Sequence, residues 1–160
     1  YEDCVTAIRK TNPKRIIFIA PSKLSHPEGL QYLKIPSQGN GYLMAEWHFY
    51  AAGPSKTNDK KRWTTGTAEE KHQIKKSIKV AVDWQKKTGI YTWVGAWMPG
   101  DYNKGDNYSV KEQIEFASFM TQQLDKYGIP FAINADDRFY DYQAENWIPK
   151  YKDLLNRIFM

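Results

Sequence analysis

Glu46, His48 and Tyr50 alternate along the run Tyr42 to Tyr50 (YLMAEWHFY). If that run is extended, alternate side chains share a face, so an imidazole and a phenol stand side by side with a carboxylate behind them. His48 and Tyr50 can exchange hydrogen bonds or protons with a ligand; the bland alternative is a buried His and Tyr satisfied by neighbouring groups. Glu46 lies two residues further back, where a structural carboxylate paired to a Lys or Arg is expected. Trp47 and Phe49 point the other way and are expected under helices. A second group follows at Trp97 and the polar loop Met98 to Tyr108 (MPGDYNKGDNY). Trp97, Tyr102 and Tyr108 are flat rings suited to stacking, unless the loop merely packs on itself. Asp101, Asn103 and Asp106 superficially suggest a calcium loop, but the Glu expected at its twelfth position is missing, so no metal is expected. Asp136, Asp137 and Arg138 read as a mutual ion pair near the same rim. Trp63 either reaches that rim or covers a helix end.

The elements that must hold these groups alternate in type. Arg15 to Ala20 (RIIFIA), Tyr42 to Tyr50, Tyr91 to Trp97 and Ile129 to Asn134 are short apolar runs, as expected of strands buried on both faces. A helical segment ends at Val5 to Lys10 before the Asn12-Pro13 breaker, and a short helical piece is expected over Glu28 to Lys34. Thr67 caps a long helix with Glu69 and Glu70 in its first turn, an apolar stripe of Ile74, Ile78, Ala81, Val82 and Trp84, and a stop at Gly89. Ser109 caps another, carrying Ile114, Ala117, Phe119, Met120 and Leu124 and ending at Gly128. A last helix is expected over Trp147 to Phe159. Four strands alternating with helices imply parallel pairing through right-handed crossovers, an α/β fold in a single domain over residues 1–160.

Composition excludes several classes. Of 160 residues, 41% are hydrophobic and 15% aromatic, which rules out a disordered chain. The net charge of +5 is scattered through helical segments and the Lys56 to Arg62 loop, with no recognisable nucleic-acid module, so no nucleic-acid partner is expected. The single cysteine, Cys4, permits neither an intramolecular disulfide nor a cysteine zinc cluster. No run reaches the roughly 18 apolar residues of a membrane span, and Tyr1 does not open a signal peptide.

Several motifs, taken in order, resemble the second half of the barrel of glycoside hydrolase family 5, the cellulase family. Ala7 to Ile17 (AIRKTNPKRII) resembles the approach to the fifth strand. Trp47-His48-Phe49-Tyr50 matches the H-x-Y at the end of the sixth. Trp93-Val94-Gly95-Ala96-Trp97 resembles the seventh, where the family writes G-E-F or G-E-W. Gly128 to Asn134 (GIPFAIN) resembles the eighth, and Phe139-Tyr140-Asp141 with Asn146-Trp147 resembles the return into the last helix.

This resemblance implies half of a TIM-type barrel, four parallel βα units corresponding to strands five to eight, and a cleft at the C-terminal ends of the strands. It implies a β-linked polysaccharide or oligosaccharide as ligand, no cofactor, and an extracellular or cell-surface location. Retaining hydrolysis needs two carboxyl groups about 5–5.5 Å apart. By analogy the nucleophile belongs at position 96, where this chain has Ala96, and the acid/base belongs on a fourth strand that precedes the matched region. The family's Trp that floors the cleavage subsite corresponds to Asn134. Two losses at one cleft favour natural divergence over an engineered trap. The expected substrate-binding residues are therefore His48, Tyr50, Trp97, Tyr102 and Asn134, with no confirmed catalytic residue. The readings are a catalytically impaired glycan-binding cleft, part of a retaining endo-β-1,4-glucanase with a mutated or displaced nucleophile, or an assembly module. A complete barrel takes about 250 residues, so self-association or a complementary half-barrel is expected to cover the open edges.

Overall fold

The computed structural model describes residues 1–39, 41–50, 63–100 and 108–159. Four strands form one parallel sheet in chain order: β1 (Ile17–Ile19), β2 (Leu43–Tyr50), β3 (Tyr91–Met98) and β4 (Phe131–Ile133). Helix α1 (Glu2–Arg9) leads into β1, α2 (Ala68–Thr88) connects β2 to β3, and α3 (Val110–Lys126) connects β3 to β4. The β1–β2 connection carries only a 3₁₀ turn, Pro27–Tyr32. The architecture is the α/β half-barrel expected from the alternation of elements, with β1 and β4 as its edges.

Local chemistry fixes the long helices. At the start of α2 the Thr67 hydroxyl accepts from the Glu70 amide at 3.2 Å, while the Glu70 carboxylate accepts from the Thr67 amide at 2.8 Å. Ser109 and Glu112 repeat this reciprocal arrangement at α3, so two otherwise orphaned donors are satisfied at each helix start. Partial burial pushes the Glu70 carboxyl up, but hydrogen bonds from Thr64, Thr67 and Gly66 outweigh it and hold the group below its ordinary 4.5. Gly89 ends α2 with φ of 71°, a left-handed conformation that a side chain would oppose.

The helix-facing side of the sheet is the core. Ala45, Trp47 and Phe49 of β2 and Val94 and Trp97 of β3 meet Ile74, Ile78 and Ala81 of α2 and Phe116, Ala117 and Met120 of α3. Trp47 Nε1 donates to Thr92 Oγ1 at 3.2 Å, and Thr92 in turn donates to Gln85 of α2, so the largest buried ring brings its polar atom a partner. Arg9 is buried behind the sheet's N-terminal end. Its guanidinium donates to five carbonyls: Gln38, Asn12, Arg15, Gly39 and Tyr42. All its donors are used without a carboxylate, and α1, the approach to β1 and the entry to β2 are thereby tied together.

After β4 the chain departs from expectation. Trp147 is not helical: α4 (Asp136–Phe139) leads into an antiparallel pair, β5 (Tyr140–Asp141) and β6 (Asn146–Trp147), then a 3₁₀ turn at Pro149–Tyr151 and α5 (Lys152–Phe159). The Asp141 carboxylate accepts from the amides of Gln143 and Ala144, and Glu145 adopts φ of 48°, which closes the hairpin. Pro149 holds Ile148 extended (ψ 122°), so helix cannot propagate back to Trp147.

Candidate functional site

The opposite face of the sheet carries the chemistry. Phe18 pairs with Met44, and Met44 with Tyr91, in one row; above it come Glu46 with Trp93, then His48 with Ala96, then Tyr50 with Met98. Glu46, His48 and Tyr50 are half-buried while their neighbours Ala45, Trp47 and Phe49 are buried, the alternation expected of a strand with one packed face. Phe18 and Tyr91 are exposed on the open side, and the Phe18 and Trp93 rings lie 4.9 Å apart.

One irregularity decides which β3 residues join this face. The register runs Trp47↔Val94 and then His48↔Ala96, so β3 spends one extra residue, Gly95, against β2. Such a bulge reverses the parity of everything after it. Ala96 is turned to the open face beside His48, and Trp97 is turned to the helices beside Phe49. Ala96 therefore faces the same side as His48, and a methyl group is all it offers.

Gly95 has a separate consequence. A Cβ at this position would lie 2.3 Å from Cδ and 2.5 Å from Oε1 of Glu46, so the Glu46 carboxylate occupies the space a side chain would take. There it meets Nε2 of His48 at 2.7 Å. Both side chains keep about a quarter of their surface exposed, 26% for Glu46 and 28% for His48. The His48 amide is fixed as well, donating to the Ser25 carbonyl at 2.8 Å. The partner of Glu46 is thus His48 rather than a Lys or Arg.

The remaining expected site residues divide. Asn134 follows β4 at the same end of the sheet, half-buried, its amide donating to the Trp97 carbonyl at 2.9 Å. Trp97 is not a stacking platform: it is completely buried, its ring 6.1 Å from Phe116 and 5.7 Å from Phe131. Tyr108 is buried as well. Trp63 packs on α3, with ring centroids 5.5 Å from Phe116 and 5.6 Å from Phe119, and so covers a helix rather than the rim. Tyr102, Asp101, Asn103 and Asp106 lie outside the described residues. Trp93 and Gly95 escaped sequence reasoning as contributors to the open face. Strand alternation places Trp93 on one face of its own strand, but neither its pairing with Glu46 nor the bulge can be read from it.

Among the described residues, no group of three or more His, Cys, Asp or Glu side chains is placed to hold a metal ion. No described helix is long and apolar enough to cross a membrane.

A parallel sheet with helices on one face and polar groups at its C-terminal end defines part of a (β/α)-type barrel. The model of the Cellulase (glycosyl hydrolase family 5) family matches residues 1–136, and the chain belongs to that family. No curated protein sequence matched the chain. Among solved structures it is similar to the cellulose synthase subunit Z of Clostridioides difficile, with a TM-score of 0.80 and 20% identity over 99% of this chain and 54% of that one. Endoglucanase Cel5A of Thermotoga maritima, in complex with cellobiose, superposes with a TM-score of 0.78 and 20% identity over 98% of this chain and 52% of that one. A hyperthermophilic endo-β-1,4-glucanase gives 0.74 and 22% identity over 98% and 52%. The chain spans about half the length of these proteins, and at this identity the likeness establishes the fold.

Proposed function

We propose that this chain forms one side of a β-glycan-binding cleft derived from a glycosidase and impaired in catalysis. The observation that carries this reading is the placement of Ala96. It is turned into the open face opposite His48, and the run Gly95-Ala96-Trp97 resembles the family's G-E-F or G-E-W motif, whose Glu is the nucleophile. A methyl group cannot attack an anomeric carbon, whereas the His48 imidazole and Tyr50 phenol beside it retain the capacity to hydrogen-bond a sugar. Asn134 at the same end of the sheet, and Tyr102 in the stretch that follows β3 in sequence, are proposed as further contacts.

The exposed Phe18 and Tyr91 and the free edges of β1 and β4 support completion of the barrel by four further βα units, either of the same protein or of a partner chain. An extracellular or cell-surface setting follows from the family alone and belongs to the same proposal. Calorimetric titration with cello-, xylo- and manno-oligosaccharides tests the binding reading. Saturable heat with at least one of them is expected, and a folded sample that binds none refutes it. If the impairment lies at Ala96, Ala96→Glu in a complete barrel should release reducing sugar; release that stays at background counts against that assignment.

A further inference from the structure

The Glu46–His48 pair does more than fill the open face. An ionised carboxylate only accepts hydrogen bonds, so the 2.7 Å contact requires the proton on Nε2 of His48. In the neutral ring that leaves Nδ1 as an acceptor, and among the described residues Nδ1 has no partner. The contact exists because Gly95 is bare, since any side chain there would displace the carboxylate. The His48 side chain keeps 28% of its surface exposed on the open face of the sheet.

We infer that Glu46, lodged over Gly95, is a positioning residue that locks His48 in its Nε2–H tautomer and so presents Nδ1 to the cleft as an acceptor for a ligand hydroxyl. The nature of that ligand rests on the glycan reading above; the lock itself does not. The imidazole then selects hydroxyl donors at its acceptor edge, and Glu46 acts only through His48.

Two measurements on the full chain test this. The first is ¹⁵N NMR of the His48 ring without ligand. Wild type is expected to show one tautomer and Glu46→Ala an average of two, and Glu46→Gln should lose the single-tautomer pattern as well, because its amide can turn to donate to Nε2 as readily as to accept from it. An unchanged pattern in Glu46→Ala overturns the inference. Should that variant not fold, Gly95→Ala breaks the same contact without altering either partner and is read the same way. The second is a double-mutant cycle read as affinity for cello-oligosaccharides. Glu46→Ala should weaken binding about tenfold in wild type and hardly at all in a His48→Ala background. Additive losses overturn the inference. Absence of any binding alongside the expected NMR pattern refutes the glycan reading and leaves the lock standing.

Discussion

Adding a single carbon at position 95 separates the chemistry of the open face from the stability of the fold. In Gly95→Ala the new Cβ would stand 2.3 Å from Cδ of Glu46, an impossible contact that the flexible carboxylate relieves by swinging away. Gly95 does not have positive φ, so alanine fits its backbone. The cost is the Glu46–His48 contact. Because each side chain is about a quarter exposed, that contact contributes no more than about 1 kcal/mol. Replacing glycine by alanine at a compatible position returns about 0.4–1 kcal/mol by restricting the unfolded chain. The two nearly cancel, and the melting temperature should move by less than about 3 °C for a domain of this size. The His48 ring spectrum should nonetheless change from one tautomer to an average. A melting temperature lowered by roughly 10 °C would show that the bulge cannot accept a Cβ, and an unaltered ring spectrum would show that Gly95 does not control the pair. Either result refutes the reasoning.

Other consequences are equally specific. Trp97→Ala should cost about 3–5 kcal/mol in chemical denaturation, as expected for a fully buried ring; a change within about 0.5 kcal/mol would return Trp97 to the surface. Arg9→Met removes five hydrogen bonds, although the carbonyls of Asn12, Gly39 and Tyr42 keep backbone partners, and should cost at least about 2 kcal/mol, with Arg9→Lys recovering little because three donors on one nitrogen cannot span the set; thermal melts of the two variants check this. Glu70 is held below its ordinary 4.5 in the folded state, so its contribution is present above that unfolded-state value and is lost as pH falls through the lower folded value. The gap in melting temperature between wild type and Glu70→Gln should therefore close as the pH is lowered below about 4, and a gap constant across that range would contradict the assignment.

The sequence made the strands legible because each is a short apolar run closed by turn residues, and the long helices because Thr67 and Ser109 announce their first turns. Alternation along β2 correctly separated His48 and Tyr50 from Trp47 and Phe49. Trp97 reads as a stacking ring because it closes its apolar run next to a polar loop, but the residue that β3 inserts at Gly95 turns it to the helices instead. A glycine in a strand hints at a bulge, but only the register against β2 shows where parity reverses. The partner of Glu46 was misread for a related reason. A buried carboxylate favours a long cation, yet here the bare backbone at Gly95 lets the carboxylate bend back toward His48 on its own strand. The tail was misread because the apolar spacing of α5 extends past Pro149, which forbids the helix that spacing suggests.

The proposed function has the face bearing His48, Tyr50 and Ala96 bind a β-glycan without cleaving it. Calorimetric titration of the folded protein with a cello-oligosaccharide series tests it most directly. Saturable binding that persists unchanged through prolonged incubation, and falls on His48→Ala, is the expected result; no heat with any member of the series, or heat that decays as the ligand is hydrolysed, would contradict it.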